Sequence, residues 1–266
     1  MPFRFYFSRN IFFHKIPSSL IFILFLLYYK YTHLTNRGEK MPNIFFGIPK
    51  KDILIFDEHE TIHFKTVRIK EGDIVKSTDG KGGEFLVKIE KIKKKKSFGT
   101  ILESKYIEKD EKSNLVLFAP SGKWERLRWL IEKSVELGVD KIYITKTKYS
   151  NRDYRDKEEK ISLVIRNSAK QCIRYHFPEF KFISFKEIEK YASINTYFLD
   201  FEGENIPEII HPNTSFIVGP EGGFSEDEKK FLNVNFTPVV LGKKTLRFET
   251  AAFVFLSYLS IKLEKI

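Results

Sequence analysis

The sequence holds a single cysteine, Cys172, among its 266 residues. One thiol excludes an internal disulfide framework and a cysteine-rich zinc site, and it fits a protein of a reducing compartment. Acidic residues are also in deficit, with 35 Asp and Glu against 46 Lys and Arg, so the formal charge is +11. This surplus favours an anionic partner, most commonly a nucleic acid, while a basic surface that only aids solubility is the alternative.

Long apolar runs are scarce as well. The run at residues 20–29 holds ten residues, whereas a membrane-spanning helix needs about 20. Arg4, Arg9 and Lys15 precede this run, as in a signal peptide, but no small-residue cleavage site follows it. Because Met41 opens a segment of ordinary globular composition, we interpret residues 1–40 as an extension upstream of the true start; a membrane-associating leader is the alternative.

Residues 41–105 have the pattern of a small β-barrel. Short stretches rich in β-branched and aromatic residues predict strands at 53–56, 74–77, 85–89 and 97–102. The sequence Asp-Gly-Lys-Gly-Gly at 79–83 is typical of a hairpin turn. The lysine-rich stretch 91–96 is expected near a strand end, as a solvated hairpin or as a phosphate contact. The charged segment 103–113 is interpreted as a linker.

Strands and helices alternate after Asn114. Strands are predicted at 115–119, 141–145, 196–199, 215–218 and 239–241, and helices at 123–137 and 157–172. This alternation predicts an α/β domain around a largely parallel sheet. The last predicted helix, 250–263, is apolar on nearly every face, so it requires burial in the fold or against a second subunit.

A glycine-rich turn follows the strand at 215–218, with the sequence Gly-Pro-Glu-Gly-Gly-Phe-Ser at 219–225. Ser225 and Glu228 have the spacing of a capping box, which predicts the start of a helix. Ligands of open α/β sheets bind beyond the carboxyl ends of the strands, and glycines there let backbone amides approach a ligand. From these residues alone, a ligand-binding loop and an ordinary tight turn are both open.

A second strand also ends at a glycine, in the sequence Leu-Gly-Lys-Lys-Thr-Leu-Arg-Phe-Glu-Thr-Ala at 241–251. Both loops would lie at the same edge of the sheet, so they predict one pocket. Arg247 and Glu249 would flank that pocket. Taken alone, this pair is better interpreted as a structural salt bridge.

Other motifs are weak or missing. His59-Glu60-Thr61-Ile62-His63 matches the H-E-x-x-H zinc pattern, but it stands in a segment that we interpret as β-rich, and no third ligand stands out. The G-x-G-x-x-G dinucleotide pattern and the phosphate-binding pattern G-x-x-x-x-G-K-[ST] are both absent from the sequence.

The two loops together resemble the paired signature of the RsmE family, which are S-adenosylmethionine-dependent RNA methyltransferases of the SPOUT superfamily. Further stretches resemble family motifs: KSVELGV at 133–139, AKQCIR at 169–174 with Pro178, and His63, Val67-Arg68 and Gly72-Asp73 near the start. The resemblance runs in order over residues 41–266. Asn43 departs from the pattern, as do Asn167 and Lys170, which stand where the family commonly has acidic residues.

The resemblance implies a PUA-like β-barrel over 41–105 and an α/β domain with a trefoil knot over 114–266. It implies methylation of N3 of a uridine in 16S ribosomal RNA of the small subunit, a cytoplasmic location and a homodimer formed through the C-terminal helix. No metal is expected, nor a membrane partner for residues 41–266. A SPOUT enzyme acting on another RNA site and a non-catalytic RNA-binding protein are the alternatives.

The resemblance also implies residue roles. Arg247 is the candidate for stabilising negative charge on the uracil oxygens, and Glu249 for orienting that arginine or removing the N3 proton. The candidate S-adenosylmethionine contacts are Gly219, Glu221, Gly222, Gly223, Leu241, Gly242 and Leu246. The candidate RNA contacts are Arg68, Lys123, Gln171 and Arg174, together with the stretch 91–96.

Overall fold

The computed structural model describes residues 44–150 and 152–266. The interpretation of residues 1–40 therefore lies outside the described residues. Among the helices described, none combines the length and the apolar character that crossing a membrane requires.

The first domain is a six-stranded sheet that curls on itself. Its elements are β1 (Ile44–Phe46), β2 (Ile48–Lys50), β3 (Ile53–Phe56), α1 (Glu58–Thr66), β4 (Ile74–Thr78), β5 (Gly83–Ile92) and β6 (Ser97–Tyr106). The strand order is β1-β4-β5-β6-β3-β2. Only Gly47 separates β1 from β2, so the two edges of the sheet are adjacent and the sheet forms the small barrel that the sequence predicts. A Cβ at Gly47 would lie 2.6 Å from Leu54, which is why this corner needs glycine.

The two predicted hairpins are present in the barrel. The turn at 79–83 joins β4 to β5, and the lysine-rich turn at 93–96 joins β5 to β6; both strand pairs are antiparallel. The carboxylate of Asp79 accepts hydrogen bonds from the backbone N–H groups of Lys81 and Gly83, at 2.8 and 3.0 Å. The turn therefore depends on the aspartate as well as on its glycines.

Two predictions for this domain are wrong. The segment interpreted as β-rich contains α1, because the carboxylate of Asp57 caps the helix through the Glu60 N–H and Phe64 packs between Phe45 and Phe56 in the barrel core. The segment 103–113, which we interpreted as a linker, is also partly a strand. β6 continues to Tyr106, because the long strand β5 offers pairing partners up to Gly83.

The second domain is built on a six-stranded sheet in which every pairing is parallel. The elements are β7 (Asn114–Pro120), α2 (Trp124–Glu136), β8 (Lys141–Lys146), α3 (Glu158–Gln171), β9 (Glu179–Ser184), α4 (Ile188–Tyr191), β10 (Asn195–Asn205), β11 (Asn213–Ile217), α5 (Glu226–Asn235), β12 (Thr237–Val240) and α6 (Phe248–Lys262). The order is β12-β10-β11-β7-β8-β9. The predicted α/β domain is confirmed, and the carboxyl ends of all six strands lie at one edge.

The C-terminal helix α6 is buried on one side and exposed on another. Its buried residues on the sheet and on α2 are Ala252, Phe255, Leu256, Leu259 and Ser260. Val254 and Ile261 on the outer side are 47% and 64% exposed. The fold therefore explains only part of the apolar character of this helix.

Ion pairs around the buried Glu60 connect the barrel to the second domain. Lys170 on α3 lies 2.5 Å from the buried carboxylate of Glu60 on α1, and Arg166 lies 2.5 Å from Asp57 and 3.7 Å from Glu60. Burial alone would raise the pKa of Glu60, but the neighbouring His63, Lys170 and Arg166 outweigh burial and hold this pKa below its usual value. The carboxylate is therefore charged and paired in the folded protein.

We expect Lys170→Met to lower the free energy of unfolding by about 3 kcal/mol, because it leaves the buried Glu60 with one cation fewer. Folding lowers the pKa of Glu60, so the charged carboxylate stabilises the folded protein at pH values above the ordinary glutamate pKa. This stabilisation is lost as the pH falls through the folded-state pKa. Urea unfolding at several pH values measures both effects. Lys133→Met, which breaks the surface pair with Glu136, is the matched control and should cost less than about 1 kcal/mol. Equal losses in the two variants at neutral pH would contradict the expected role of Lys170.

Candidate active site

The two glycine-containing loops border one cavity. Strand β10 pairs with β11 on one side and with β12 on the other, so the loops that follow β11 and β12 flank the middle of β10. The cavity between them measures about 660 Å³. The lining residues in the loops are Gly219, Pro220, Glu221, Gly223, Phe224, Leu241, Gly242, Lys244, Thr245, Leu246, Arg247 and Phe248, and β10 adds Leu199, Asp200 and Phe201.

Two glycines in the cavity wall have backbone conformations that side chains rarely adopt. Gly223 has φ of +71° and Gly242 has φ of +149°. No described atom lies within 4 Å of an ideal Cβ at either position. A side chain there would therefore be strained and would project into open space.

The first loop is held at both ends. Within it, the Gly223 N–H donates to the Pro220 carbonyl at 2.9 Å. The Glu228 carboxylate accepts from the Ser225 N–H and hydroxyl at 2.8 and 3.0 Å, which confirms the predicted capping box. The same carboxylate accepts from the Lys148 N–H at 2.7 Å, so the loop after β8 is held against the loop after β11.

Arg126 is a site residue that the sequence reasoning missed. It lies in the first turn of α2 and lines the cavity, and its guanidinium is 2.8 Å from the Glu221 carboxylate and 3.7 Å from that of Glu249. One cation therefore connects the two loops. Its position was open to inference, since α2 begins just beyond the carboxyl end of β7, at the same edge of the sheet as both loops.

The structure separates Arg247 from the salt bridge that the sequence suggested for it. Glu249 is paired with Arg126, and within the described residues no ion pair joins Arg247 to Glu249. Arg247 stands exposed at the N-cap of α6 and lines the cavity. Glu249 is only 15% exposed, and its Oε2 has no hydrogen-bond partner in the described part of the chain. Arg247 thus lines the cavity as a cation with no ion-pair partner among the described residues, whereas Glu249 is paired with the lining residue Arg126.

A second, smaller cleft of about 360 Å³ lies on the other side of the first loop. It shares Arg126, Pro220, Glu221 and Phe248 with the larger cavity. Gly222 and Lys123, predicted as a cofactor contact and an RNA contact, line this cleft together with Lys148 and Tyr149. Gly222 is therefore placed in the smaller cleft.

Three of the predicted RNA contacts lie elsewhere in the structure. Arg68 and Gln171 are exposed, on the segment after α1 and at the end of α3. Arg174 is only 16% exposed, and it donates to the carbonyls of Val135 and His176 and lies 3.6 Å from Asp140. The guanidinium of Arg174 is therefore occupied by contacts within the domain. This geometry does not support the expected phosphate contact.

The zinc pattern lies on a helix, contrary to the sequence interpretation. His59, Glu60 and His63 all belong to α1, but Glu60 is engaged by Lys170 and Arg166. In residues 44–150 and 152–266, no three His, Cys, Asp or Glu side chains are grouped so that they could hold a metal ion.

Known proteins are similar over nearly the whole described chain. Residues 109–260 match the family model for an RNA methyltransferase domain, and residues 56–102 match that for an RNA methyltransferase PUA domain. Ribosomal RNA small subunit methyltransferase E of Mesomycoplasma hyopneumoniae is 28% identical over 229 residues, which are 82% of this chain and 98% of that protein.

Two solved structures have the same fold. A predicted RNA methyltransferase from Thermotoga maritima is 38% identical with a TM-score of 0.76, and the alignment covers 85% of this chain and 100% of that one. A methyltransferase from Legionella pneumophila, solved with bound cofactor SAM, is 25% identical with a TM-score of 0.76 and coverages of 84% and 98%.

The parallel sheet with two glycine loops around one cavity, preceded by a PUA-like barrel, defines an RNA methyltransferase of the SPOUT fold. Within that class, the chain belongs to the RsmE family.

Proposed function

We propose that the protein transfers a methyl group from S-adenosylmethionine to N3 of a uridine in the 16S RNA of the small ribosomal subunit. The observation that carries this proposal is the single cavity bordered by both loops, with Arg247 at its wall. Relatives named ribosomal RNA small subunit methyltransferase E, and the Legionella structure with SAM, support the substrate and the cofactor. Such a substrate places the enzyme in the cytoplasm.

The residues of the larger cavity fit the cofactor. Positive φ and free space at Gly223 and Gly242 keep side chains out of the cavity, and the backbone of both loops is open to a ligand. We assign cofactor contacts to Gly219, Glu221, Gly223, Leu241, Gly242 and Leu246, with Gly222 supporting the loop from the smaller cleft. When bound, S-adenosylmethionine supplies an electrophilic methyl group on its sulfonium.

Arg247 and Glu249 are the two side chains to which we assign roles in the reaction. Loss of the N3 proton places negative charge on the uracil oxygens, and the exposed guanidinium of Arg247 is positioned to stabilise that charge. Glu249 is the proposed acceptor for the N3 proton, through Oε2, which has no hydrogen-bond partner in the described part of the chain and lies 3.7 Å from Arg126. Arg126 holds Glu249 and Glu221 in place and thereby positions both loops. Proximity and alignment of the two reactants supply most of the remaining acceleration.

The RNA is proposed to lie across both domains. The barrel, with domain limits at 41–105, presents Arg68 and the lysine-rich hairpin at 93–96, and the methyltransferase domain, from 114 to 266, presents Gln171 and Lys123. These exposed groups are suited to phosphate and sugar contacts, which position an RNA without reading its sequence. The target base must be unstacked to reach the cavity.

Strand order also supports the trefoil knot proposed for the second domain. β11 lies between β10 and β7, whereas the next strand, β12, lies on the far side of β10, and α6 then returns to pack against α2. The connection through α5 therefore passes over β10. A knot further requires that the chain be threaded through a loop, and such threading is rare in other folds.

A homodimer through α6 is proposed from its outer face. Val254 and Ile261 are exposed there, and Trp129 of α2 extends the same apolar surface through an edge contact with the ring of Phe253 at 5.3 Å. Contiguous exposed apolar groups of this kind mark association surfaces.

Val254→Asp is expected to convert the dimer to a monomer, because it places a charge at the centre of a desolvated contact. Sedimentation velocity of the purified protein measures the change. Val234→Asp, at a valine that is more exposed (83% against 47%) but lies on α5, serves as the control and should leave the dimer intact. A wild-type protein that sediments as a monomer at micromolar concentration would refute the proposal.

The function itself is tested by mass mapping of methylated nucleosides in 16S RNA from a strain that lacks the gene, with and without complementation. The expected result is the loss of one 3-methyluridine, restored by the wild-type gene. Loss of a methylated nucleoside elsewhere would indicate a SPOUT enzyme with another RNA site. An unchanged set of nucleosides would indicate a non-catalytic RNA-binding protein.

A further inference from the structure

The smaller cleft has the dimensions and the place of a second ligand site. It lies between the end of β7, the start of α2, the loop after β8 and the residues 220–222. Its volume of about 360 Å³ falls within the roughly 300–1,000 Å³ of ordinary ligand pockets. Because residues 220 and 221 form a wall of both cavities, a ligand in this cleft is adjacent to the larger cavity.

The charges in the cleft favour an anion. Lys123 and Lys148 are exposed, and neither ammonium group has an ion-pair partner among the residues that the structure describes. The only carboxylate in the lining, that of Glu221, is neutralised by Arg126 at 2.8 Å. Lys123 stands at the N-cap of α2 and Lys148 in the loop after β8, so two separate elements each bring a cation to the cleft.

An aromatic ring lines the same cleft. Tyr149 is 48% exposed, although it lines the cleft. It stands directly against Gly222, where an ideal Cβ would lie 3.3 Å from the Cβ of Tyr149. A side chain at residue 222 would therefore crowd this ring. An exposed aromatic ring and cations in one cleft are the combination that binds an unstacked base and its phosphates in single-stranded RNA.

We propose that this cleft binds one unstacked nucleotide of the RNA substrate, with its base on the ring of Tyr149 and its phosphates between Lys123 and Lys148. The inference rests on the proposed function, since it takes RNA as the substrate. It adds a nucleotide site next to the donor cavity and assigns binding roles to Tyr149 and Lys148.

The test compares steady-state methylation by the purified full-length protein, with 16S RNA or small subunits from the deletion strain as substrate. Tyr149→Ala is expected to raise KM for RNA about tenfold, since one base–aromatic stack is lost, while kcat changes less. Tyr149→Phe keeps the ring and should restore KM. Lys148→Ala should reduce the slope of log Kd for RNA against log salt by about 0.7, the contribution of one phosphate contact on a single strand.

Two controls make the outcome specific. Lys112→Ala removes an equally exposed lysine at the opposite end of β7, and its salt slope should equal that of the wild type. The affinity for S-adenosylmethionine, measured by calorimetry, should be unchanged in all four variants. If the wild type methylates RNA but Tyr149→Ala keeps the wild-type KM, the nucleotide site is wrong while the proposed function stands. A wild type that methylates neither substrate refutes the proposed function itself.

Discussion

Arg247→Ala is expected to lower kcat for methyl transfer by roughly 10²–10³-fold, the usual cost of removing one group that stabilises developing negative charge. The affinity for S-adenosylmethionine should change little, because Arg247 is exposed at the N-cap of α6 and the cavity is formed mainly by other residues. Single-turnover methylation at saturating RNA measures the chemical step, and calorimetry measures the cofactor affinity. The reason for the large effect is that the charge on the uracil oxygens appears only as the reaction proceeds.

Two control variants distinguish the loss of Arg247 itself from a general reduction of positive charge near the cavity. Lys243→Ala removes a cation four residues away that is exposed on the same loop, and it should retain nearly full kcat. Arg247→Lys keeps the charge but not the guanidinium geometry, and it should recover part of the lost rate. A kcat within a factor of three of the wild type in Arg247→Ala would show that this arginine does not act on the reacting base.

Gly223→Val is expected to abolish detectable binding of S-adenosylmethionine. At φ of +71° a β-branched residue is strained by about 1–2 kcal/mol, and its side chain would project into the cavity where no described atom lies within 4 Å. The loop must then either change conformation or place a side chain where the cofactor is proposed to lie. Isothermal calorimetry with the purified variant measures the loss directly.

Gly72→Val is the matched control, because Gly72 also has a positive φ, of +94°, and open space around its ideal Cβ, but it lies in the barrel. Both variants should lose a similar amount of thermal stability, and only Gly223→Val should lose cofactor affinity. Unchanged affinity in a folded Gly223→Val protein would remove this loop from the proposed cofactor site.

Most strands and the long helices could be predicted from the sequence, because their apolar periodicity reflects burial against one sheet. Helix α1 was missed for a local reason: β-branched residues such as Thr61 and Ile62 made the segment resemble a strand. The signal for a helix was nevertheless present, since Asp57 and Glu60 have the spacing of an N-cap and its third residue. The tertiary pairing of Glu60 with Lys170, two residues 110 positions apart, has no local signal at all.

The candidate site likewise has features that could be predicted from the sequence and features that could not. The glycine loops were recognisable from their composition and from their place after two strands, so their meeting at one cavity could be expected. The pairing of Glu249 with Arg126 instead of Arg247 could not, because it depends on how α2 lies across both loops. The second cleft was hidden for a related reason: Lys123, the neighbours Lys148 and Tyr149, and Gly222 belong to three separate connections, and only the parallel order of β7, β8 and β11 brings them together.

The guanidinium of Arg126, which both cavities share, has a consequence for the binding of the methyl donor and of RNA. A ligand in one cavity that displaces this side chain would also change the wall of the other, so we expect binding in the two cavities to be coupled. Thermodynamic linkage then makes the influence mutual. Whatever factor the methyl donor imposes on RNA affinity, the RNA imposes on the affinity for the donor.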